Sequence, residues 1–168
     1  MKSYFTRFYL LIAILLLANV AIASTLEGRV VGVADGDTVT ILDSSNTQFK
    51  IRLMGIDAPE KKQAFGNKSK QSLSDLVFNK QVMIEYSKKD KYGRTVGKIL
   101  VEGVDANLEQ VKAGMAWHYK QYQSEQAVAD RRLYALAEEQ ARARKIGLWV
   151  DAEHMPPWDW RKQEKSRK

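Results

Sequence analysis

Three short segments near the start of the chain predict consecutive β-strands, so the first third of the fold is built around a sheet. Gln48–Met54 alternates polar and apolar side chains with a period of two, the pattern of a half-buried strand. Arg29–Ala34 and Thr38–Leu42 are rich in valine and threonine, which favour extended backbone. Asp43–Asn46 has the composition of a tight turn, which predicts a hairpin between the second and third segments.

The rest of the chain alternates between helical and strand patterns. We predict helices over Asn67–Asn79, from the N-cap Asp105 to Gly114 and over Glu125–Lys145, and strands over Val82–Tyr86, Thr95–Val101 and Ala116–Tyr119. A length of 168 residues is typical of one domain. Five main strands in this order suit a Greek-key β-barrel of the oligonucleotide-binding type, so the expected fold class is α+β with about three helices.

The first 23 residues have the three-part pattern of a secretory signal peptide. Lys2 and Arg7 give a positive start, an apolar run follows, and Ala21–Ala23 is a small-residue cleavage site. An uncleaved N-terminal anchor is the alternative. We therefore divide the chain into a signal peptide over 1–23, a barrel domain over 24–150 and a basic tail rich in tryptophan and proline over 151–168. The tail is expected to be peripheral or poorly ordered.

The composition restricts the chemistry that the chain can perform. It has no cysteine and two histidines, which excludes thiol nucleophiles and cysteine-based zinc sites. Any metal site must therefore rest mainly on oxygen ligands. The formal charge is +7, and it falls by two to +5 if Lys2 and Arg7 are removed. This charge favours a polyanionic partner such as nucleic acid, although it is also ordinary for a soluble surface.

Acidic residues and arginines concentrate in three short segments between Asp35 and Arg94. The segments are Asp35–Thr38, Arg52–Glu60 and Asp90–Arg94. Each alone is explained by a turn or a solvated loop. Together they place acids and arginines at strand ends and in loops, where functional sites lie on a rigid scaffold.

Such a set of residues suits cleavage of a phosphodiester bond. Arg52 and Arg94 are candidates to bind phosphate oxygens, because a guanidinium is planar, bidentate and always charged. Asp37 and Asp57 are candidates to hold a hard divalent cation that polarises the phosphoryl oxygen. Glu60 is then available to deprotonate or orient the attacking water.

The same three segments resemble, in order and approximate spacing, the signature segments of the staphylococcal nuclease (thermonuclease) family. The resemblance runs from about Thr25 to Trp149. It implies an oligonucleotide-binding barrel with three helices that hydrolyses DNA and RNA with calcium (Ca2+) and leaves 3′-phosphate ends.

By position, the resemblance implies a role for nine residues. It implies calcium ligands at Asp37, Asp57 and the backbone carbonyl of Ala58, phosphate-binding arginines at Arg52 and Arg94, a general base or water-orienting group at Glu60, an acid beside the metal at Asp35, and tyrosines of the nucleotide pocket at Tyr92 and Tyr122. Lys91 is a further candidate for substrate contact, because it flanks Arg94 together with Lys88 and Lys89. Ala58 stands where the type member has a threonine, and Lys120 stands where it has another tyrosine. The loop after Glu60 is also shorter, so substrate entry and base stacking are expected to differ.

Two further residues have plainer interpretations. His118 lies between two aromatic residues and is expected to pack or hydrogen-bond rather than bind a metal. Trp149 is expected to cover the core beside the last long helix.

The sequence thus predicts a secreted or periplasmic calcium-dependent nuclease that acts on DNA and RNA. We expect a monomer without a stable protein partner and without membrane association after cleavage of the signal peptide. The rival hypothesis is a non-catalytic barrel that binds single strands by charge and stacking. A pure binding module gains nothing from acids that repel phosphate, and this favours the enzyme.

Overall fold

The computed structural model describes residues 24–167, which form a closed β-barrel surrounded by helices. The strands are β1 (Ser24–Val33), β2 (Thr38–Leu42), β3 (Gln48–Leu53), β4 (Ile56–Asp57), β5 (Gln81–Lys89), β6 (Thr95–Val101), β7 (Val104–Asp105) and β8 (Trp117–His118). The α-helices are α1 (Gly66–Val77), α2 (Ala106–Lys112), α3 (Val128–Ala143) and α4 (Pro157–Ser166), and 3₁₀ helices cover Lys120–Glu125 and Gly147–Val150.

Five strands close the barrel, which confirms the predicted fold class. The sheet order is β3-β2-β1-β5-β6-β7, with antiparallel neighbours throughout. A parallel pairing of β3 with β6, in which Ile51 lies opposite Thr95, joins the two sides of the sheet. The short strands β4 and β8 form a separate two-stranded ladder beside the barrel.

The alternation predicted for the third strand places its apolar side chains in the core. Ile51 and Leu53 are buried, whereas Gln48 and Lys50 are exposed. The hairpin between β2 and β3 is confirmed, because Asp43 accepts hydrogen bonds from the backbone N–H groups of the turn, as expected of aspartate at this position.

The second helix begins where the sequence predicts, whereas the third begins three residues later than predicted. Asp105 is the N-cap of α2, as predicted, and accepts a hydrogen bond from the backbone of Leu108 at 3.0 Å. The long helix α3 begins at Val128 rather than at Glu125. The reason is Gln126, which has extended backbone and a buried side chain that hydrogen-bonds His118 at 2.9 Å.

The expectation of a peripheral or poorly ordered tail is wrong. Pro157 lies in the first turn of α4, where its fixed φ suits a helix and its missing N–H costs no hydrogen bond. Trp158 packs against the apolar cluster of Trp117, Leu148 and Trp149. Burial of this aromatic side chain holds the C-terminal segment against the barrel.

The proposed signal peptide, residues 1–23, lies outside the described residues. Over the part of the chain that the structure does describe, no helix is long and apolar enough to span a membrane.

Candidate active site

Strand register brings the three acid- and arginine-containing segments to one end of the barrel. Thr38, at the start of β2, lies opposite Arg52 near the end of β3. Arg52 in turn lies beside Val96, two residues after Arg94, through the parallel pairing of β3 with β6. Asp37, Arg52 and Arg94 therefore converge although they are far apart in the sequence.

A cleft of about 680 Å³ opens at this end of the barrel. All ten candidate site residues line it: Asp35, Asp37, Arg52, Asp57, Ala58, Glu60, Lys91, Tyr92, Arg94 and Tyr122. The structure thus brings the whole predicted set together in one cavity.

Close packing fixes the Asp35–Asp37 turn. A Cβ atom on Gly36 would lie 1.8 Å from the hydroxyl oxygen of Ser69 on α1, so only glycine fits. The buried side chain of Gln110 donates to the carbonyl oxygen of Gly36 at 2.9 Å and to that of Ser69 at 3.0 Å. The turn is therefore held by two helices, and its aspartates have defined positions.

Arg52 joins the two aspartates at the floor of the cleft. Its Nη2 lies 3.2 Å from Oδ2 of Asp37 and 3.0 Å from Oδ1 of Asp57. Its Nη1 donates to the carbonyl oxygens of Leu53 and Ile56 at 2.7 and 2.9 Å. Both terminal nitrogens of Arg52 thus have protein partners, which makes this arginine part of the rigid floor.

The pKa values of two acids at the floor, Asp35 and Asp57, are raised. Burial and the neighbouring charge of Asp37 raise the pKa of Asp35 to about 6. Burial also raises the pKa of Asp57, against the opposing hydrogen bonds and charges of Arg161 and Arg52. Carboxylates gathered at close range in a buried site favour a bound cation, because a cation relieves both their desolvation and their mutual repulsion.

The donor chemistry of this floor fits a hard divalent cation. Asp37 and Asp57 contact the same guanidinium nitrogen of Arg52, so the two carboxylates lie close together. The backbone N–H of Ala58 donates to Oδ2 of Asp37 at 2.7 Å, which ties this backbone to the site. Within residues 24–167 no group of three or more His, Cys, Asp or Glu side chains is arranged to hold a metal. Asp37 and Asp57 thus offer two carboxylates here, and a hard cation bound to them would need further oxygen ligands from the backbone or from water.

The rim of the cleft carries Arg94 and exposed aromatic rings. Nε of Arg94 donates to Asp90 at 2.8 Å, and among the described residues its two terminal nitrogens have no hydrogen-bond partner. The guanidinium lies 5.4 Å from the ring centre of Tyr92, which is 71% exposed. Lys91 lies over the same ring, and Tyr122, which also lines the cleft, is 43% exposed. The rim therefore combines positive charge with solvent-exposed aromatic side chains, both of which a nucleic-acid strand can contact.

Sequence reasoning gave no role to Tyr119 or to Arg161, which both line the cleft. Tyr119 forms part of its wall, and Arg161 reaches it from α4. Arg161 donates to Asp57 and to Glu60, each at 2.8 Å. Partial burial opposes its charge, but these hydrogen bonds raise the pKa of Arg161, so it remains protonated. The only sequence signal was the spacing of Trp158 and Arg161, which places both on one face of a helix that begins with proline.

The plainer interpretations of His118 and Trp149 are confirmed. His118 is buried and its Nε2 contacts Gln126, away from the acids of the floor. Trp149 is buried in the cluster beside α3.

The fold and the site define a class of protein, a Greek-key barrel whose open end holds acids and arginines in one cleft. Comparison with known proteins supports this class. The family model for the staphylococcal nuclease homologue matches residues 50–151. The chain belongs to the staphylococcal nuclease family, which confirms both the resemblance and the prediction of a hydrolase of the phosphodiester nuclease class.

Individual relatives cover most of the chain. An uncharacterised endonuclease of Haemophilus influenzae is 46% identical over 162 residues, 95% of this chain and 88% of the relative. A micrococcal nuclease of Shigella flexneri is 35% identical over 163 residues, 92% of this chain and 91% of the relative. A staphylococcal-like nuclease of Arabidopsis thaliana is 36% identical over 118 residues, which is 70% of this chain but 35% of the longer plant protein.

Proposed function

We propose that this nuclease is calcium-dependent, hydrolyses both DNA and RNA and leaves 3′-phosphate ends. One observation carries the proposal. A single cleft combines the paired aspartates Asp37 and Asp57 at its floor, the partly exposed Glu60, and Arg94, whose two terminal nitrogens have no hydrogen-bond partner among the described residues. Oxygen ligands select a hard cation, and guanidinium groups select phosphate.

Asp37, Asp57 and the Ala58 carbonyl would hold the calcium ion. When bound, the ion would supply positive charge that polarises a phosphoryl oxygen and steadies the charge developing on it. Arg52 keeps the two aspartates oriented through its contacts at 3.2 and 3.0 Å. Asp35 lies beside Asp37 and accepts a hydrogen bond from its backbone N–H at 3.0 Å, which fixes the turn that carries the ligand.

Glu60 is placed to act on water. Its side chain is 39% exposed, and one carboxylate oxygen, Oε1, is held by Arg161. Among the described residues the other oxygen, Oε2, accepts no hydrogen bond, so it can receive a proton from a water or orient that water for attack. Arg94 presents two terminal nitrogens with which to bind the phosphoryl oxygens as charge builds on them.

The rim supports a substrate with exposed bases. Tyr92 and Tyr122 offer ring faces on which bases can stack, and stacking accepts any base. Lys91 adds charge for the backbone phosphates. Neither contact distinguishes deoxyribose from ribose, which supports the proposal that DNA and RNA are both substrates.

For location, we propose export through the N-terminal signal peptide, with a mature chain that begins at Ser24 in the periplasm or outside the cell. The support is the small-residue site at Ala21–Ala23. Intact mass of the exported protein tests the cleavage, and retention of Met1 would favour the anchor.

Cleavage assays with and without calcium test the proposed activity. Purified protein is incubated with labelled single-stranded DNA or RNA, in calcium or in excess chelator. We expect both strands to be cut in calcium, no cutting in chelator, recovery when calcium is restored, and 3′-phosphate product ends. Magnesium is the matched control, because its tighter octahedral demand makes two carboxylates and a carbonyl a poor site for turnover. Full activity in metal-free buffer would contradict the proposal, and a calcium-loaded protein that binds strands without cutting them would favour the binding module.

A further inference from the structure

The C-terminal helix α4 is docked over the cleft by aromatic packing. Trp158 stacks on Tyr119 with ring centres 5.3 Å apart and an interplanar angle of 8°. It also packs edge-on against Trp117 at 6.4 Å. Just before the helix, the carbonyl oxygen of Met155 accepts a hydrogen bond from the buried side chain of Gln63. The helix therefore has a defined position, although it lies beyond residues 50–151 that the family model matches.

Docking places Arg161 between two carboxylates of the cleft. Its Nη2 donates to Oδ2 of Asp57 at 2.8 Å, and its Nη1 donates to Oδ1 of Asp57 at 3.2 Å and to Oε1 of Glu60 at 2.8 Å. The Asp57 side chain is 1% exposed. Both terminal nitrogens of Arg161 thus donate to the buried carboxylate of Asp57, and Nη1 also donates to the carboxylate of Glu60.

This contact differs from the other ion pairs on the same helix. Lys162 pairs with Asp159, and Arg167 with Glu164, three residues apart on the exposed surface. Such pairs contribute little to stability. Arg161 instead joins elements about a hundred residues apart in the sequence, and Asp57 and Glu60 are the ends of the loop segment that carries Ala58.

We propose that Arg161 is a positioning residue for hydrolysis: it holds the carboxylate of Glu60 at a fixed place relative to Asp57. This rests on the proposed function of Glu60. Within the described residues, Arg161 is the only side chain that donates to the Glu60 carboxylate. Without it, a partly exposed glutamate on a loop is free to rotate away from the water that it must orient.

The loss of activity expected without Arg161 can be estimated from other groups that orient functional residues. Removing groups that orient functional residues typically lowers activity 10- to 100-fold, and a displacement of about 1 Å at a reacting group has a similar effect. Lysine cannot replace Arg161, because one ammonium on a flexible stem lacks the fork that bridges Asp57 and Glu60.

A double-mutant cycle between Arg161 and Glu60 tests the proposal. Four full-length proteins are compared in calcium: wild type, Arg161→Ala, Glu60→Gln and the double variant, with Arg161→Lys and the exposed Lys162→Ala as controls. We expect Arg161→Ala and Arg161→Lys to lower kcat by about 10- to 100-fold, with KM for single-stranded DNA within about threefold. Lys162→Ala should match the wild type. In the Glu60→Gln background, Arg161→Ala should lower kcat by less than about threefold, because Arg161 acts through Glu60.

The thermal unfolding midpoint and strand affinity of each variant separate positioning from structure. An equal loss from Arg161→Ala in both backgrounds would overturn the proposal, as would a normal kcat in Arg161→Ala. A rise in KM at constant kcat would also overturn it, since it would make Arg161 a strand contact. A wild type that does not cleave would refute the proposed function and this proposal together, whereas a cleaving wild type with a fully active Arg161→Ala refutes this proposal alone.

Discussion

At the scale of single residues, the two arginines predicted to bind phosphate, Arg52 and Arg94, differ in how many protein groups their guanidinium nitrogens contact. Both terminal nitrogens of Arg52 are engaged, by two aspartates and two carbonyl oxygens. The guanidinium of Arg94 donates to Asp90 only through Nε, and its two terminal nitrogens have no hydrogen-bond partner among the described residues. Arg52 therefore orders the floor of the cleft, and Arg94 is the better placed of the two to meet a phosphate whose charge is growing.

Arg94→Lys tests this difference, because it keeps the charge and removes the fork. We expect kcat for single-stranded DNA to fall by roughly 10²–10³, the range for loss of one donor to a transition state, with a smaller rise in KM. Arg29→Lys is the matched control, since Arg29 pairs with Asn79 outside the cleft. Near-normal turnover by a folded Arg94→Lys protein would remove Arg94 from the reaction.

Among the elements, the small β4–β8 ladder links the floor of the cleft to α3. Asp57 on β4 lies opposite Trp117 on β8, and Ile56 lies opposite His118. The backbone N–H of His118 donates to the buried carboxylate of Glu138 on α3. The position of Asp57 thus depends on packing between a two-residue strand and a helix distant in sequence.

His118 gives this ladder a testable dependence on pH. Burial lowers the pKa of His118, with the charges of Lys120 and Arg131 acting in the same direction, while Gln126 and Glu138 oppose them. The folded state therefore resists a proton that the unfolded state accepts below pH ~6.5. The stability that comes from the neutral ring is complete above that pH and is lost as the pH falls toward the lowered pKa.

Urea unfolding between pH 5 and pH 7.5 measures this effect. We expect the free energy of unfolding to fall more steeply with decreasing pH in the wild type than in His118→Gln, by at most about 1.4 kcal/mol per pH unit. Parallel curves for wild type and His118→Gln would show that this histidine titrates alike in both states.

Patterns that are local in the sequence predicted the barrel, whereas tertiary contacts determine where α3 begins and place Arg161 in the cleft. The alternation in β3 and the Asp43 turn act over a few residues, and both were predicted correctly. Gln126 shortened a helix because it bonds His118, a contact that no helical periodicity encodes. Arg161 was missed for the same reason, since its partners lie about a hundred residues away and its helix docks through a tryptophan.

For the whole molecule, the cleft combines charges of opposite sign for two purposes. Carboxylates lie at its floor, where burial raises the pKa values of Asp35 and Asp57. Basic side chains lie at its rim, including Lys88, Lys89, Lys91 and Arg94. This separation of charge favours a cation at the floor of the cleft and a phosphate backbone at its rim, and Glu60 in the same cleft is partly exposed to water.

Glu60→Gln tests the central claim, that Glu60 acts on the attacking water, with little change in side-chain volume. The measurement is single-turnover cleavage of labelled single-stranded DNA in calcium, beside strand binding by the same protein. The account predicts a fall in the cleavage rate of roughly 10²–10⁴, the contribution expected of a general base. Strand affinity should hold or rise, because a negative charge near the phosphate is gone. Glu139→Gln, at an exposed position on α3, should cleave like the wild type. A Glu60→Gln protein that is folded, binds strands and cleaves at the wild-type rate would contradict the account.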